Sequence, residues 1–333
     1  MFSPSFILFF LSLLSSISYG FQTKEFDERR IGEGMTPKIV GGVVVDPPFK
    51  YPWIVSLSFL DNHYCGGSVI DSTHILTAAH CVIDPMYPME FISVQVHRHD
   101  LTASPTDEGA QIRGVAKMVV HPNFFRTRIG PANDIAVWTL DSPLNSVAPI
   151  ALDRNGLDYD DDETEARIMG WGTIYSNGPA STLLLHTNIS LVSSYQCSLD
   201  YRGLIPTTML CAGTPEGGKD TCQGDSDKFS LIILILSFLF NGVYSLYYIL
   251  FIYSLINSFF FFFSLPLRGP LVINADTNPV QVGVVSFGKG CGDKNFPGVY
   301  ARVSEFIDFV DKAIVDGIFS LFVFYFFFFF SFF

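Results

Sequence analysis

The chain has 333 residues, room for one or two domains, with 49% hydrophobic residues and a formal net charge of −12. That acidity argues against nucleic-acid binding and for solubility. The bulk hydrophobicity is concentrated in residues 1–20, roughly 229–267 and 317–333, and the remainder has an ordinary globular composition.

Phe6 to Leu14 is almost continuously apolar, and Ser18-Tyr19-Gly20 offers small residues for cleavage. Residues 1–20 therefore read as a secretory signal peptide. A signal anchor is the alternative, because no Lys or Arg precedes the apolar run. Secretion implies an oxidising compartment, which suits six cysteines, an even number. Residues 21–38, with Glu25, Asp27, Glu28, Arg29 and Arg30, read as a flexible pro-segment. It ends at Lys38, just before Ile39-Val40-Gly41-Gly42.

From Ile39 onward, short β-branched runs are separated by Gly, Pro, Asn and Asp. Trp53–Leu57, Ser68–Ile70, Ile92–Val96 and Val280–Val285 are examples, and they predict an all-β sandwich or barrel. No internal repeat is visible in the motifs. His97-Arg98-His99 puts two imidazoles on one face of a predicted strand, but a third ligand is not evident and no zinc site is expected. Asp158–Glu165 is acidic and reads as a solvated surface loop. Asn188-Ile189-Ser190 is a glycosylation sequon, meaningful only on an exposed face of a secreted chain. One helix is expected near the end, capped by Ser304, with an apolar stripe of Phe306, Ile307, Val310 and Ile314 and a stop at Gly317. The Phe-rich residues 317–333 have no polar face and are expected to lie outside the fold.

Three short motifs carry chemistry. Thr77-Ala78-Ala79-His80-Cys81 sets a histidine beside a cysteine, Asn133-Asp134-Ile135-Ala136-Val137 sets an aspartate at the head of an apolar strand, and Gly224-Asp225-Ser226 sets a serine after a glycine. Each alone is weak. In the order His, Asp, Ser they match a serine-protease triad. A serine hydroxyl is a poor nucleophile until a neutral imidazole takes its proton. His80 would be that general base and Asp134 would hold its tautomer. The N–H groups of Gly224 and Ser226 would form the oxyanion hole, where each donor is worth about 2.7–4 kcal/mol.

With Ile39-Val40-Gly41-Gly42, Gly170-Trp171-Gly172, Asp220-Thr221-Cys222-Gln223-Gly224-Asp225-Ser226 and Pro297-Gly298-Val299-Tyr300, these motifs make the chain resemble the chymotrypsin-like serine protease family, trypsin subgroup. The resemblance runs from Ile39 to about Ile314. It implies two six-stranded antiparallel Greek-key β-barrels with a C-terminal helix and the site between the barrels. It implies a zymogen: cleavage after Lys38 frees the Ile39 ammonium, which pairs with Asp225. A trypsin-like enzyme cuts after Lys, so self-activation is conceivable. Asp220 takes the floor of the specificity pocket, where a carboxylate favours Arg or Lys before the cut. Gly288 and Gly298 keep that pocket open. Ser286-Phe287-Gly288 pairs with the substrate backbone, with Phe287 where Trp is common. The implied disulfides are Cys65–Cys81, Cys197–Cys211 and Cys222–Cys291. Ala166 and Ile273 stand where many relatives carry another bridge. Relatives often bind calcium around residues 97–110, but Ala110 replaces their Glu, and no metal or other cofactor is expected. The partners implied are Arg/Lys-containing protein or peptide substrates and protein protease inhibitors; a secreted monomer is expected, with no nucleic-acid partner.

The nucleophile motif is interrupted. Residues 227–268 stand where the family has one glycine, and the expected continuation appears only at Gly269-Pro270. Leu231 to Leu267 is long enough to span a membrane once and nearly twice, but a two-span hairpin is barely long enough and its only clear turn, Asn241-Gly242, is off-centre. A single crossing, however, would put two halves of one barrel on opposite sides of the bilayer. Phe259 to Leu267 can be written entirely in pyrimidine triplets and Arg268 in one beginning AG, the pattern with which an intron ends. The segment thus reads as a retained intron within a protease domain of residues 39–316. The alternative is a catalytically inactive or membrane-associated protease-like chain.

Overall fold

A computed structural model describes residues 42–82, 89–156, 164–172, 180–203, 205–217, 269–289 and 293–316. The expected signal peptide (1–20) and pro-segment (21–38), the segment 227–268 and the tail 317–333 lie outside the described residues.

A short strand β1 (Val43–Val44) opens the fold, followed by β2 (Ile54–Phe59), β3 (Asn62–Val69), β4 (His74–Thr77), β5 (Ile92–Val96) and β6 (Gln111–Val120). A small hairpin of β7 (Phe125–Arg126) and β8 (Pro131–Ala132) precedes β9 (Ala136–Leu140). Then come β10 (Ala151–Leu152), β11 (Glu165–Gly170), β12 (Leu185–Val192), helix α1 (Ser194–Asp200), β13 (Met209–Gly213), β14 (Pro270–Ile273), β15 (Val280–Phe287) and β16 (Gly298–Arg302). The sequence-predicted runs fall on β2, β3, β5 and β15; the one at 92–96 matches end to end.

Two six-stranded antiparallel barrels result. Barrel one closes in the order β2-β3-β4-β9-β6-β5, with β5 returning to β2. Barrel two closes in the order β12-β11-β14-β15-β16-β13, with β13 returning to β12. Counted along the chain, both rings run first, second, third, sixth, fifth, fourth. The pairing scheme therefore repeats although no motif does. Nothing local in the sequence reports this, because each ring is closed by strands distant along the chain.

Period-two burial explains the walls of barrel two. In β12, Leu185, Thr187, Ile189 and Leu191 are buried while His186, Asn188, Ser190 and Val192 are half-buried, so one face packs inward. Ile168, Ile189, Leu210, Leu271 and Tyr300 belong to one core cluster there. Ala166 and Ile273 face each other across β11 and β14 and join the same cluster, so an apolar pair fills the place expected for a lost bridge. Asn188 is half-buried and its Oδ1 accepts from Arg167 Nε at 2.6 Å. Gly269 restarts barrel two after the interruption; a Cβ there would collide with the Met169 carbonyl oxygen, so the position requires glycine.

The barrels are strapped together by each other's ends. The N-terminal β1 pairs with β12 of barrel two, and β10 pairs in parallel with β15. Ser68 Oγ of barrel one donates to Gln281 Oε1 of barrel two at 2.6 Å, both fully buried. At the other end, β16 runs into a 3-10 turn (Val303–Phe306) and then helix α2 over residues 307–316. Phe306 and Phe309 pack edge-on against His121, just after β6, at ring separations of 5.1 and 4.9 Å. Ser304 was expected as the cap but lies inside the turn; Arg302 holds the cap position, with no side-chain hydrogen bond. The strand feeds the turn directly, which leaves no free residue ahead of it to cap.

The region of residues 97–110 is built around a buried ion pair. Arg98 Nε donates to Glu108 Oε2 at 2.6 Å, and its other nitrogens reach Gln95 Oε1 and the carbonyls of Asp100 and Ala103. Glu108 Oε1 accepts the N–H groups of His99 and Asp100. His97 sits past the end of β5 with φ +63°, so the two imidazoles do not share a strand face as expected. Phe49 packs between them, stacked on His97 at 3.9 Å and edge-on to His99.

Candidate active site

His80 lies in a 3-10 turn, Ala79–Cys81, directly after β4. Ala78 and Ala79 are buried, and their small side chains let the turn press on the barrel wall. The turn closes through Cys81 N–H to Ala78 O and Val82 N–H to Ala79 O. The disulfide Cys65–Cys81 ties it to β3. Just upstream, Thr77 Oγ1 donates to the Gly66 carbonyl at 2.7 Å.

Asp134 comes from the turn between β8 and β9 and is fully buried. Asn133 before it has φ +52°, a left-handed conformation that Asn tolerates because its short amide bonds locally. Here Asn133 Nδ2 donates to the Asn123 carbonyl at 2.8 Å. That kink turns the Asp134 carboxylate toward His80.

The carboxylate is held by three donors from two barrels. Oδ1 accepts the His80 backbone N–H at 2.9 Å. Oδ2 accepts His80 Nδ1 at 2.5 Å and the Ser286 hydroxyl at 2.6 Å. Burial alone pushes the Asp134 carboxyl upward, but the electrostatic attraction of the His80 ring and the hydrogen bonds of His80 and Ser286 outweigh it and hold the group below the usual carboxylate range. An ionised carboxylate can only accept, so the proton resides on Nδ1 and leaves Nε2 as the acceptor nitrogen. This is the tautomer in which an imidazole can take a proton at Nε2.

Of the sequence-predicted site residues, the structure brings His80, Asp134 and Ser286 together. Ser286 was expected to pair with substrate; its hydroxyl is engaged by Asp134, which leaves its backbone for a substrate. Sequence reasoning missed this side-chain role, because a contact 152 residues apart across two barrels leaves no local pattern. Gly288 follows β15 directly, and Gly298 opens β16 opposite Ala212 of β13. Phe287 is buried against Gly130 of the β7–β8 hairpin, where any Cβ would run into its ring. Lys38, Ile39, Asp220, Gly224, Asp225, Ser226 and the pair Cys222/Cys291 lie outside the described residues. Cys197–Cys211 is formed as expected and links α1 to β13.

Cys65, His80 and Cys81 place ligand-type atoms within 4.8 Å of one another. They do not suit a metal, because both sulfurs are tied up in the disulfide and offer no thiolate.

The family model described as Trypsin matches residues 39–226 and 269–310, leaving 227–268 unmatched. Trypsin of Sus scrofa is 32% identical over 281 residues, covering 83% of this chain and 96% of the relative. Trypsin-1 of Astacus astacus is 29% identical over 279 residues, covering 82% and 98%. Proclotting enzyme of Tachypleus tridentatus is 28% identical over 295 residues, covering 84% of this chain and 67% of the relative. Two closed barrels with a buried carboxylate–imidazole pair at their seam define the chymotrypsin-like class. Within it, the chain belongs to the trypsin family of serine endopeptidases.

Proposed function

We propose that the chain is a secreted, trypsin-like endopeptidase that hydrolyses peptide bonds after Arg or Lys through an acyl-enzyme. The observation that carries this reading is Asp134, which holds His80 at Nδ1 while Ser286 steadies the same oxygen. His80 Nε2 takes the proton of Ser226 Oγ as that oxygen attacks the scissile carbonyl. The N–H groups of Gly224 and Ser226 stabilise the oxyanion. His80 then protonates the leaving amine, and water releases the acyl group by the same route in reverse. Asp220 pairs with the basic side chain of the substrate between Gly288 and Gly298. Cleavage after Lys38 frees the Ile39 ammonium to pair with Asp225. A buried pair of this kind is costly to break, which makes it a switch. Peptides carrying Arg or Lys, and protein protease inhibitors, are the partners that fit, and the enzyme acts as a monomer.

The split family match around residues 227–268 supports the reading that this segment is a retained intron absent from the active enzyme. The competing reading is an inactive or membrane-associated chain whose oxyanion loop is displaced by the insertion. No helix among the described residues is long and apolar enough to cross a membrane. Labelling with a fluorophosphonate decides between them: modification of Ser226 after activation supports the enzyme, and an unlabelled, folded protein overturns it. A tryptic peptide reading Ser-Gly-Gly-Pro across the junction supports the intron, whereas peptides from 229–267 in secreted protein refute it. Faster turnover of a Phe than of an Arg substrate would sink the assigned specificity.

A further inference from the structure

Phe287 is one of three aromatic residues that form a shelf beside Ser286. Tyr201, at the end of α1, meets Phe287 edge-on at 6.1 Å and Phe296 at 5.6 Å, and its hydroxyl donates to the Pro297 carbonyl. Gly130 of the β7–β8 hairpin lies against the Phe287 ring and so fixes the hairpin to the same shelf.

Four cations lie on the segments that build this shelf. Arg126 and Arg128 belong to the hairpin, Arg202 follows Tyr201, and Lys289 is two residues past Phe287. All four are exposed. None has an ion-pair partner among the described residues, whereas Lys50, Arg98, Arg154 and Arg167 each sit on a carboxylate. The Lys289 ammonium instead lies over the Phe296 ring at 4.0 Å. The nearest acids, Asp200 and Asp293, keep their charge but bond Gln196 and Asn295 and none of these four cations. In a molecule of net charge −12, this is a local reversal of sign at the edge of the site.

We propose that this cationic collar selects substrates carrying Asp or Glu in the residues just before the Arg or Lys at the cut. The proposal rests on the reading that Ser286-Phe287-Gly288 pairs with the substrate backbone. An extended peptide advances about 3.3 Å per residue, so the two to four residues before the cut run along the aromatic shelf and bring their side chains to the collar. Exposed charges at a rim act mainly on the association rate and its salt dependence. The expected preference is therefore about tenfold in kcat/KM at low ionic strength, shrinking toward one at about 0.5 M salt as screening shortens. The chain's own Met35-Thr36-Pro37-Lys38 carries no acid, so its activation site is a poor substrate for the collar.

The test uses the full chain and two fluorogenic peptides identical except for Asp-Glu or Ala-Ala immediately before Arg. A preference of about tenfold for the acidic peptide, lost in Arg126→Ala/Arg128→Ala, reduced in Lys289→Ala and inverted toward a Lys-Lys peptide in Arg126→Glu/Arg128→Glu, supports the collar. Equal cleavage of both peptides, or a preference untouched by every variant, overturns it. If neither peptide is cleaved, the chain carrying residues 227–268 is the inactive form, an outcome separate from the failure of the collar. The collar is then judged by fluorescence anisotropy of the same peptides: salt-sensitive binding of the acidic one supports it, and equal binding overturns it.

Discussion

Ser286 gives its hydroxyl proton to the carboxylate oxygen that also receives His80 Nδ1, and so acts on the site through Asp134. A hydrogen bond to a buried charge is worth about 1.5–3 kcal/mol. Ser286→Ala should therefore lower kcat by roughly 10- to 100-fold. KM should stay nearly constant, because the hydroxyl does not face substrate; steady-state kinetics on an Arg substrate separate the two. The same change acts on acid stability. Asp134 is held below the usual carboxylate range, so its contribution is complete above about pH 3.9 and is lost as pH falls through its lower folded value. Without the Ser286 donor the folded value rises and that contribution shrinks. Acid unfolding followed by tryptophan fluorescence should then have its midpoint at higher pH. At this scale, the pairing of His80 with Asp134 was legible because their motifs, weak singly, stand in the order His, Asp, Ser. The Ser286 hydroxyl and the Arg98–Glu108 pair were not, because their meaning depends on which groups the fold delivers to them.

The two described disulfides close loops of similar length, with sequence separations of 16 for Cys65–Cys81 and 14 for Cys197–Cys211. Chain entropy assigns each about 3 kcal/mol. Their functional weights differ, because only Cys65–Cys81 anchors the turn that carries His80. Replacing either pair with alanine should lower the denaturant midpoint by a similar amount. Activity in native buffer should fall well beyond the folded fraction for Cys65→Ala/Cys81→Ala alone; equal specific activities per folded molecule would refute that assignment. Strands with a β-branched run, such as 92–96, were readable one by one. The order in which they join was not, since β4 meets β9 and β13 meets β16 only after long excursions of the chain. The start of α2 was also obscured, because its first turn is 3-10 and continuous with β16.

Across the whole molecule, the segment before β2 is docked on barrel two by a polar network. Tyr51 OH bonds His186 Nδ1 at 2.7 Å and Arg167 Nη1 at 3.0 Å, while Asp276 accepts from both Arg167 and Lys50. Burial, with the charges of Arg167 and Lys50 behind it, pulls the His186 imidazole down to about 4. The unfolded chain takes up this proton near 6.5, so stability is complete above about pH 6.5 and drains as pH falls toward the folded value. At a half-buried site the loss amounts to about 1–2 kcal/mol once solvent screening is allowed for. His186→Gln should flatten the melting temperature between those pH values, measured by calorimetry; an unchanged slope would assign the pH dependence elsewhere.

The exchange of ends between the barrels has a consequence for a broken chain. Neither described disulfide crosses from one barrel to the other, yet β1 is paired into barrel two and α2 packs beside barrel one. Arg154 also clamps Asp311 with two hydrogen bonds, at 2.8 and 3.0 Å. A protein severed by an engineered cleavage site between residues 157 and 163 should migrate as one particle on a sizing column and as two fragments in denaturing gel. Expressed separately, the halves should reassemble as a split enzyme, each supplying the terminus that the other half needs to close its surface.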